Sequence, residues 1–150
     1  MFPANNENSM SRNLTNVCAA AAFFLAALCA PAAEKKAVDL SKIPPASDKT
    51  GLTYATDIKP IFDQSCTKCH DGEKPKAKLR LDSLAGVLKG GEDGKVVVAG
   101  NSVGSVLVHN IAHAGDPDGY MPPPKNKAGI PPLTKDQIGL IRAWIDQGAK

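Results

Sequence analysis

The chain is expected to fold as one all-α domain with long loops, on three observations. Four short apolar segments carry helix start or stop signals, and strand-like runs are confined to residues 79–81 and 96–99. From Gly115 to Pro132 the chain holds six prolines and three glycines, a length and stiffness that mark a functional or disordered loop rather than a simple connector. A chain of 150 residues, 43% hydrophobic and 22% charged, has room for one ordinary domain and excludes a large multidomain enzyme. The net charge of +3, from 18 Lys and Arg against 15 Asp and Glu, is too weak and too scattered to argue for a nucleic acid or a polybasic membrane surface.

The first element is a leader. Residues 13–33 carry no charge, follow Arg12, and include a run from Val17 to Ala30 that is nearly all Ala, Leu, Phe and Cys. This pattern predicts a secretory signal peptide over residues 1–33, because an apolar core of about 14 residues is short of the roughly 20 that span a bilayer permanently. The mature protein is then expected in the periplasm or otherwise exported, with no transmembrane anchor after cleavage. Lipidation at Cys29 is the alternative, disfavoured by the bulky Leu28 before it. Cleavage near Ala33 removes Cys18, Cys29, Met1 and Met10, leaving two cysteines and one methionine. Residues 34–51 are polar, contain Pro44 and Pro45, and read as a flexible linker. The folded domain is set at residues 52–150.

Within the domain, Thr56 or Asp57 is expected to cap a short helix through Ile58, Ile61 and Phe62, with Pro60 tolerated in its first turn. That helix delivers the chain to Cys66. A second helix is expected from Ser83 to Leu88, stopped by Gly90 and Gly91, and a third from Ser105 to about His113, stopped by Gly115. The last is the clearest. Thr134 is its N-cap, Gln137 follows three residues on, and Ile138, Leu140, Ile141, Trp144 and Ile145 form one apolar face before Gly148.

The chemistry lies in Cys66-Thr67-Lys68-Cys69-His70, the spacing that attaches a c-type haem. One turn of chain presents two thiols to the two vinyl edges of the porphyrin, and the adjacent imidazole falls beneath the metal. With this chain's own Cys and His content the pattern arises by accident with roughly 0.2% chance, so coincidence is set aside. Three other readings compete with it. A Cys66–Cys69 disulfide suits an exported protein, a zinc site would recruit His109 and His113, and a thioredoxin-like pair would require a surrounding βαβ pattern that is missing.

A second axial ligand has to come from further along, and Met121 is the methionine that survives cleavage. It sits in Tyr120-Met121-Pro122-Pro123-Pro124, where the prolines hold the backbone extended and limit the entropy lost in presenting a thioether. Otherwise Met121 fills an apolar gap, and His109 or His113 ligates or the site stays open.

These motifs, taken together, resemble the small class I cytochrome c domains, and most closely the planctomycete-type cytochrome c domain. The similarity runs from Tyr54 to Lys150, about two thirds of the chain. It is carried by Ile58-Lys59-Pro60-Ile61-Phe62 before the cysteines, Leu79-Arg80-Leu81-Asp82-Ser83 after them, Gly100-Asn101 through Ser105, Met121-Pro122-Pro123, and Leu133-Thr134 running to Trp144-Ile145-Asp146-Gln147-Gly148-Ala149. The resemblance implies a cytochrome c-like fold of about four short helices around one covalently bound haem c. It further implies covalent attachment at Cys66 and Cys69, His70 as proximal and Met121 as distal iron ligand, and first and last helices that cross. Ala99-Gly100 departs from the family's frequent Pro-Gly.

With both axial positions filled the iron exchanges electrons but binds no substrate, so the expected function is a mono-haem electron carrier and not an enzyme. Thioether ligation and a dry pocket favour Fe(II). Redox partner proteins are expected to dock at Lys74, Lys76, Lys78, Lys125 and Lys127, which flank the haem motif and the ligand loop; the plainer reading is that these are solvated loop charges. Arg80 is a candidate to pair with a haem propionate, while Trp144 reads as helix packing. Two other classes remain open: a haem-bearing subunit of a periplasmic dehydrogenase or oxidase, or a peroxidase-like domain if the distal site opens, and a non-haem module closed by a Cys66–Cys69 disulfide.

Overall fold

In the computed structural model, which describes residues 37–150, Thr53 starts the first helical run. Its side chain accepts the Thr56 N–H at 3.3 Å, and Asp57 Oδ2 accepts the Thr53 N–H at 2.9 Å. Thr53 therefore replaces Thr56 or Asp57 as the cap. The run begins with a wide π turn over Tyr54–Ile58, closed by Lys59 N–H on the Tyr54 carbonyl, and passes into α1, Lys59–Ser65. Pro60 gives the physical reason: it has no N–H to donate and its ring presses on the carbonyl four residues back, so the turn before it opens.

α2 spans Leu84–Lys89, with the Ser83 side chain accepting the Gly86 N–H and Gly90 at φ +83° ending it. α3 covers Val106–Ile111 and is shorter than expected. It stops at Ala112, because His113 takes the left-handed conformation, φ +52°, that Gly115 was expected to supply. α4 spans Lys135–Asp146 and opens with the expected reciprocal cap, Thr134 N–H to Gln137 Oε1 at 2.9 Å and Gln137 N–H to Thr134 Oγ1 at 3.2 Å. Among the described residues there is no strand, and the one β-bridge joins Gly91 to Gly94. The runs at 79–81 and 96–99 find non-ladder partners: Leu81 N–H bonds to the His70 carbonyl and Val98 N–H to Ser105 Oγ.

The core sits where the two ends of the domain meet. Trp144, Phe62, Ile58, Ile141, Ile145, Val87 and Val108 are fully buried, and Tyr54 lies between the Phe62 and Trp144 rings at centroid distances of 6.1 and 6.0 Å. That aromatic cluster joins the first helical run to α4, which also contacts α3. Trp144 is packing, and its Nε1–H donates to the Lys150 carbonyl at 2.8 Å.

The stretch 34–51, expected as a flexible linker, is tied to the domain over its described part. Asp39 N–H bonds to the Ala114 carbonyl at 2.6 Å and Ser47 N–H to the Gly139 carbonyl at 2.9 Å. Arg142 and Gln147 side chains donate to the Pro44 and Lys49 carbonyls. The linker reading failed because its partners are backbone and α4 groups distant in the chain, which composition does not reveal. The expected signal peptide, with the Cys29 alternative, lies outside the described residues. Among the described residues no helix is long and apolar enough to cross a membrane.

Candidate functional site

α1 ends by placing Cys66, whose N–H bonds to the Phe62 carbonyl at 2.7 Å. The chain then turns once on the Cys66 carbonyl, which accepts Cys69 N–H at 3.1 Å and His70 N–H at 3.0 Å. This turn brings both thiols and the imidazole to a single cavity of about 700 Å³, which Met121 lines from the Pro-rich loop and Leu79 and Leu81 from the segment after the motif. Its wall is mainly apolar, and its volume falls in the range of about 300–1,000 Å³ usual for small-molecule sites. A second cavity between residues 44–49 and the start of α4 holds no Cys, His or Met.

Histidine 70 is buried, and its Nδ1 lies 3.3 Å from the Leu79 carbonyl. Burial holds its pKa below the ordinary histidine value, against the opposing pull of the Leu79 and Lys76 backbone. The ring is thus neutral near pH 7, and a tautomer donating from Nδ1 to Leu79 carries its lone pair on Nε2, the arrangement that prepares an imidazole for a metal. Both cysteines are free thiols. Burial, with Cys69 beside it, pushes the Cys66 thiol up to about 12, so it stays protonated.

The loop carrying Met121 is anchored at both ends by asparagines that the sequence reading did not single out. The Asn110 carbonyl at the end of α3 accepts the Met121 N–H at 3.1 Å. Asn126 closes the far end, its Nδ2 donating to the Pro123 and Ile130 carbonyls at 2.9 and 2.8 Å while its Oδ1 accepts the Ile130 N–H at 2.8 Å. An Asn between a proline run and a glycine is a turn signal and was the clue available.

Neither His109 nor His113 lines the cavity. His109 Nε2 lies 2.6 Å from the Val103 carbonyl, and the His113 ring stacks on Tyr120. Among the described residues no three His, Cys, Asp or Glu side chains gather as a metal site, so the two histidines do not join the cysteines around zinc. Arg80, the candidate propionate partner, does not line the cavity either. Its guanidinium is exposed and bound by Asp82, with Asp71 at 3.8 Å. That contact holds the Asp82 carboxyl down at about 2. The reason for the departure is local: Asp82, two residues on, and Asp71, nine residues back, supply carboxylates that hold the guanidinium at the surface. Of the five lysines, Lys76, Lys125 and Lys127 reach the cavity rim, where Glu92, Asp93 and Asp118 also lie. Lys74 and Lys78 are exposed away from it.

Two thiols, a neutral imidazole and a thioether around one apolar cavity form a donor set suited to a covalently tethered haem. Residues 66–125 match the family model described as planctomycete cytochrome C. No curated protein and no solved structure shows significant similarity to the chain.

Proposed function

We propose that the planctomycete-type cytochrome c domain of this chain is a single-electron carrier of an exported protein, holding one haem c covalently at Cys66 and Cys69 with His70 and Met121 as axial ligands. The convergence of those four side chains on one apolar cavity carries this reading. When bound, the haem supplies a one-electron Fe(II)/Fe(III) couple.

The chain's own residues do the rest. Cys66 and Cys69, held as thiols three residues apart, are the attachment points. The Leu79 carbonyl orients the His70 ring and fixes which nitrogen is free to ligate. Met121 presents a soft donor from a loop pinned by Asn110 and Asn126. Leu79, Leu81, Leu107 and Ile111 exclude water from the cavity, which disfavours the extra positive charge of the oxidised state. With both ligands in place no coordination position is left for a substrate, so the chemistry is transfer rather than catalysis. Service within an exported dehydrogenase or oxidase would use the same site and differ in the partner alone.

Docking of a redox partner is assigned to the cavity rim. Lys76, Lys125 and Lys127 share that rim with Glu92, Asp93 and Asp118, so recognition there draws on charges of both signs. Export rests on the leader over residues 1–33, whose stretch 13–33 carries no charge.

The test is a pyridine haemochrome spectrum and intact mass of protein produced with haem-ligation machinery, followed by the ferric sulfur-to-iron charge-transfer band. One covalent haem and a band lost in Met121→His with haem retained are expected. Colourless mature protein overturns the cofactor, and a wild-type protein without the band overturns Met121.

A further inference from the structure

We infer that His113 is a positioning residue for the distal ligand: by stacking on Tyr120 it holds Met121 at the cavity, an inference resting on the reading of Met121 as an iron ligand. The two rings lie face to face, 4.4 Å between centroids and 1° from parallel. Both ends of the segment hang from one atom, since the Asn110 carbonyl accepts the His113 N–H at 3.3 Å and the Met121 N–H at 3.1 Å. Residues 110–121 thus form a closed loop with the stack inside it, and the residue next to the stack is the thioether.

The position of the histidine is held at a backbone cost. His113 adopts φ +52°, a conformation that favours glycine, and its Nε2 is buried without a hydrogen-bond partner. An imidazole in that place is retained neither for helix capping, where glycine serves better, nor for a hydrogen bond through that nitrogen. What it does make is a ring face for Tyr120. The segment after it is braced from outside: Lys42 Nζ lies 3.5 Å from the His113 carbonyl, and Asp39 N–H bonds to the Ala114 carbonyl at 2.6 Å. Residues 39–42, read from sequence as a linker, thereby support the loop that carries the ligand.

A parallel stacked ring pair shifts a local equilibrium by about 2- to 10-fold, so loss of the stack raises the fraction of protein with Met121 detached by that factor. Exogenous imidazole binding to the ferric holoprotein reads this fraction, because imidazole competes with Met121 for iron. In His113→Ala the apparent imidazole dissociation constant is expected to fall about 2- to 10-fold and in His113→Phe to return to within about twofold of wild type, since phenylalanine keeps a ring and alanine shares the same backbone strain. In a Met121→Ala background His113→Ala is expected to change nothing. Wild-type affinity in His113→Ala, a Phe variant that behaves like Ala, or an effect that persists without Met121 overturns the inference. If His113→Ala does not fold, Tyr120→Leu removes the other ring and is held to the same outcomes. Absence of the charge-transfer band in the wild type would instead sink the ligand reading itself, so the two failures are distinguishable.

Discussion

The imidazole of His70 and the main chain of Leu79 face each other at 3.3 Å, Nδ1 to carbonyl oxygen, and Leu81 N–H returns to the His70 carbonyl at 2.8 Å. The segment after the CxxCH turn therefore folds back and orients the ring through its backbone. A main-chain carbonyl cannot be deleted by substitution of its side chain, which makes the arrangement tolerant of sequence change at residue 79.

The two cysteines are expected to act as independent tethers. Cys66→Ala or Cys69→Ala should retain haem through one thioether, and the double variant should release it on acid extraction. Mass spectrometry of the denatured chain reads the difference, and haem retained by the double variant would refute covalent attachment there.

Gly139→Ala tests whether residues 44–49 are docked on α4. In an exposed helix the exchange gains about 1 kcal/mol, but here a Cβ would stand 2.9 Å from the Pro45 carbonyl. The expected outcome is a lower Tm and faster tryptic cleavage after Lys42 and Lys49. A more stable variant would mean that the segment is free.

Tyr54 makes the domain sensitive to alkali. Burial, then Asp63, Asp82 and Cys66, raise its pKa from 10.0 to about 12. The unfolded chain therefore loses this proton first as pH rises: the contribution is complete below pH 10 and disappears between 10 and about 12. Tyr54→Phe leaves the Leu81 carbonyl, its partner at 2.9 Å, unpaired and should cost about 1–2 kcal/mol at pH 7. Its stability should also fall less steeply than wild type above pH 10, as denaturant titrations at pH 8, 10 and 11.5 would measure.

Trp144 is fully buried against Tyr54, and Trp144→Ala should cost about 3–5 kcal/mol. The loss should appear as a lower midpoint in chemical denaturation.

What the sequence alone determined was local. The CxxCH spacing, the Thr134–Gln137 cap and the apolar face of α4 follow from neighbours a few residues apart, and the structure keeps each of them, whereas the extended run expected over residues 122–124 gives way to a cis Met121–Pro122 bond and a turn in which the Asn126 N–H meets the Pro123 carbonyl. Tertiary structure alone decided which long-range partners are met. It brought Met121 rather than His109 or His113 to the cavity, split the lysines between rim and open surface, and laid residues 39–49 across the domain. Those outcomes depend on hydrogen bonds and ring contacts between residues up to 98 positions apart, and only folding of the chain brings such partners within reach.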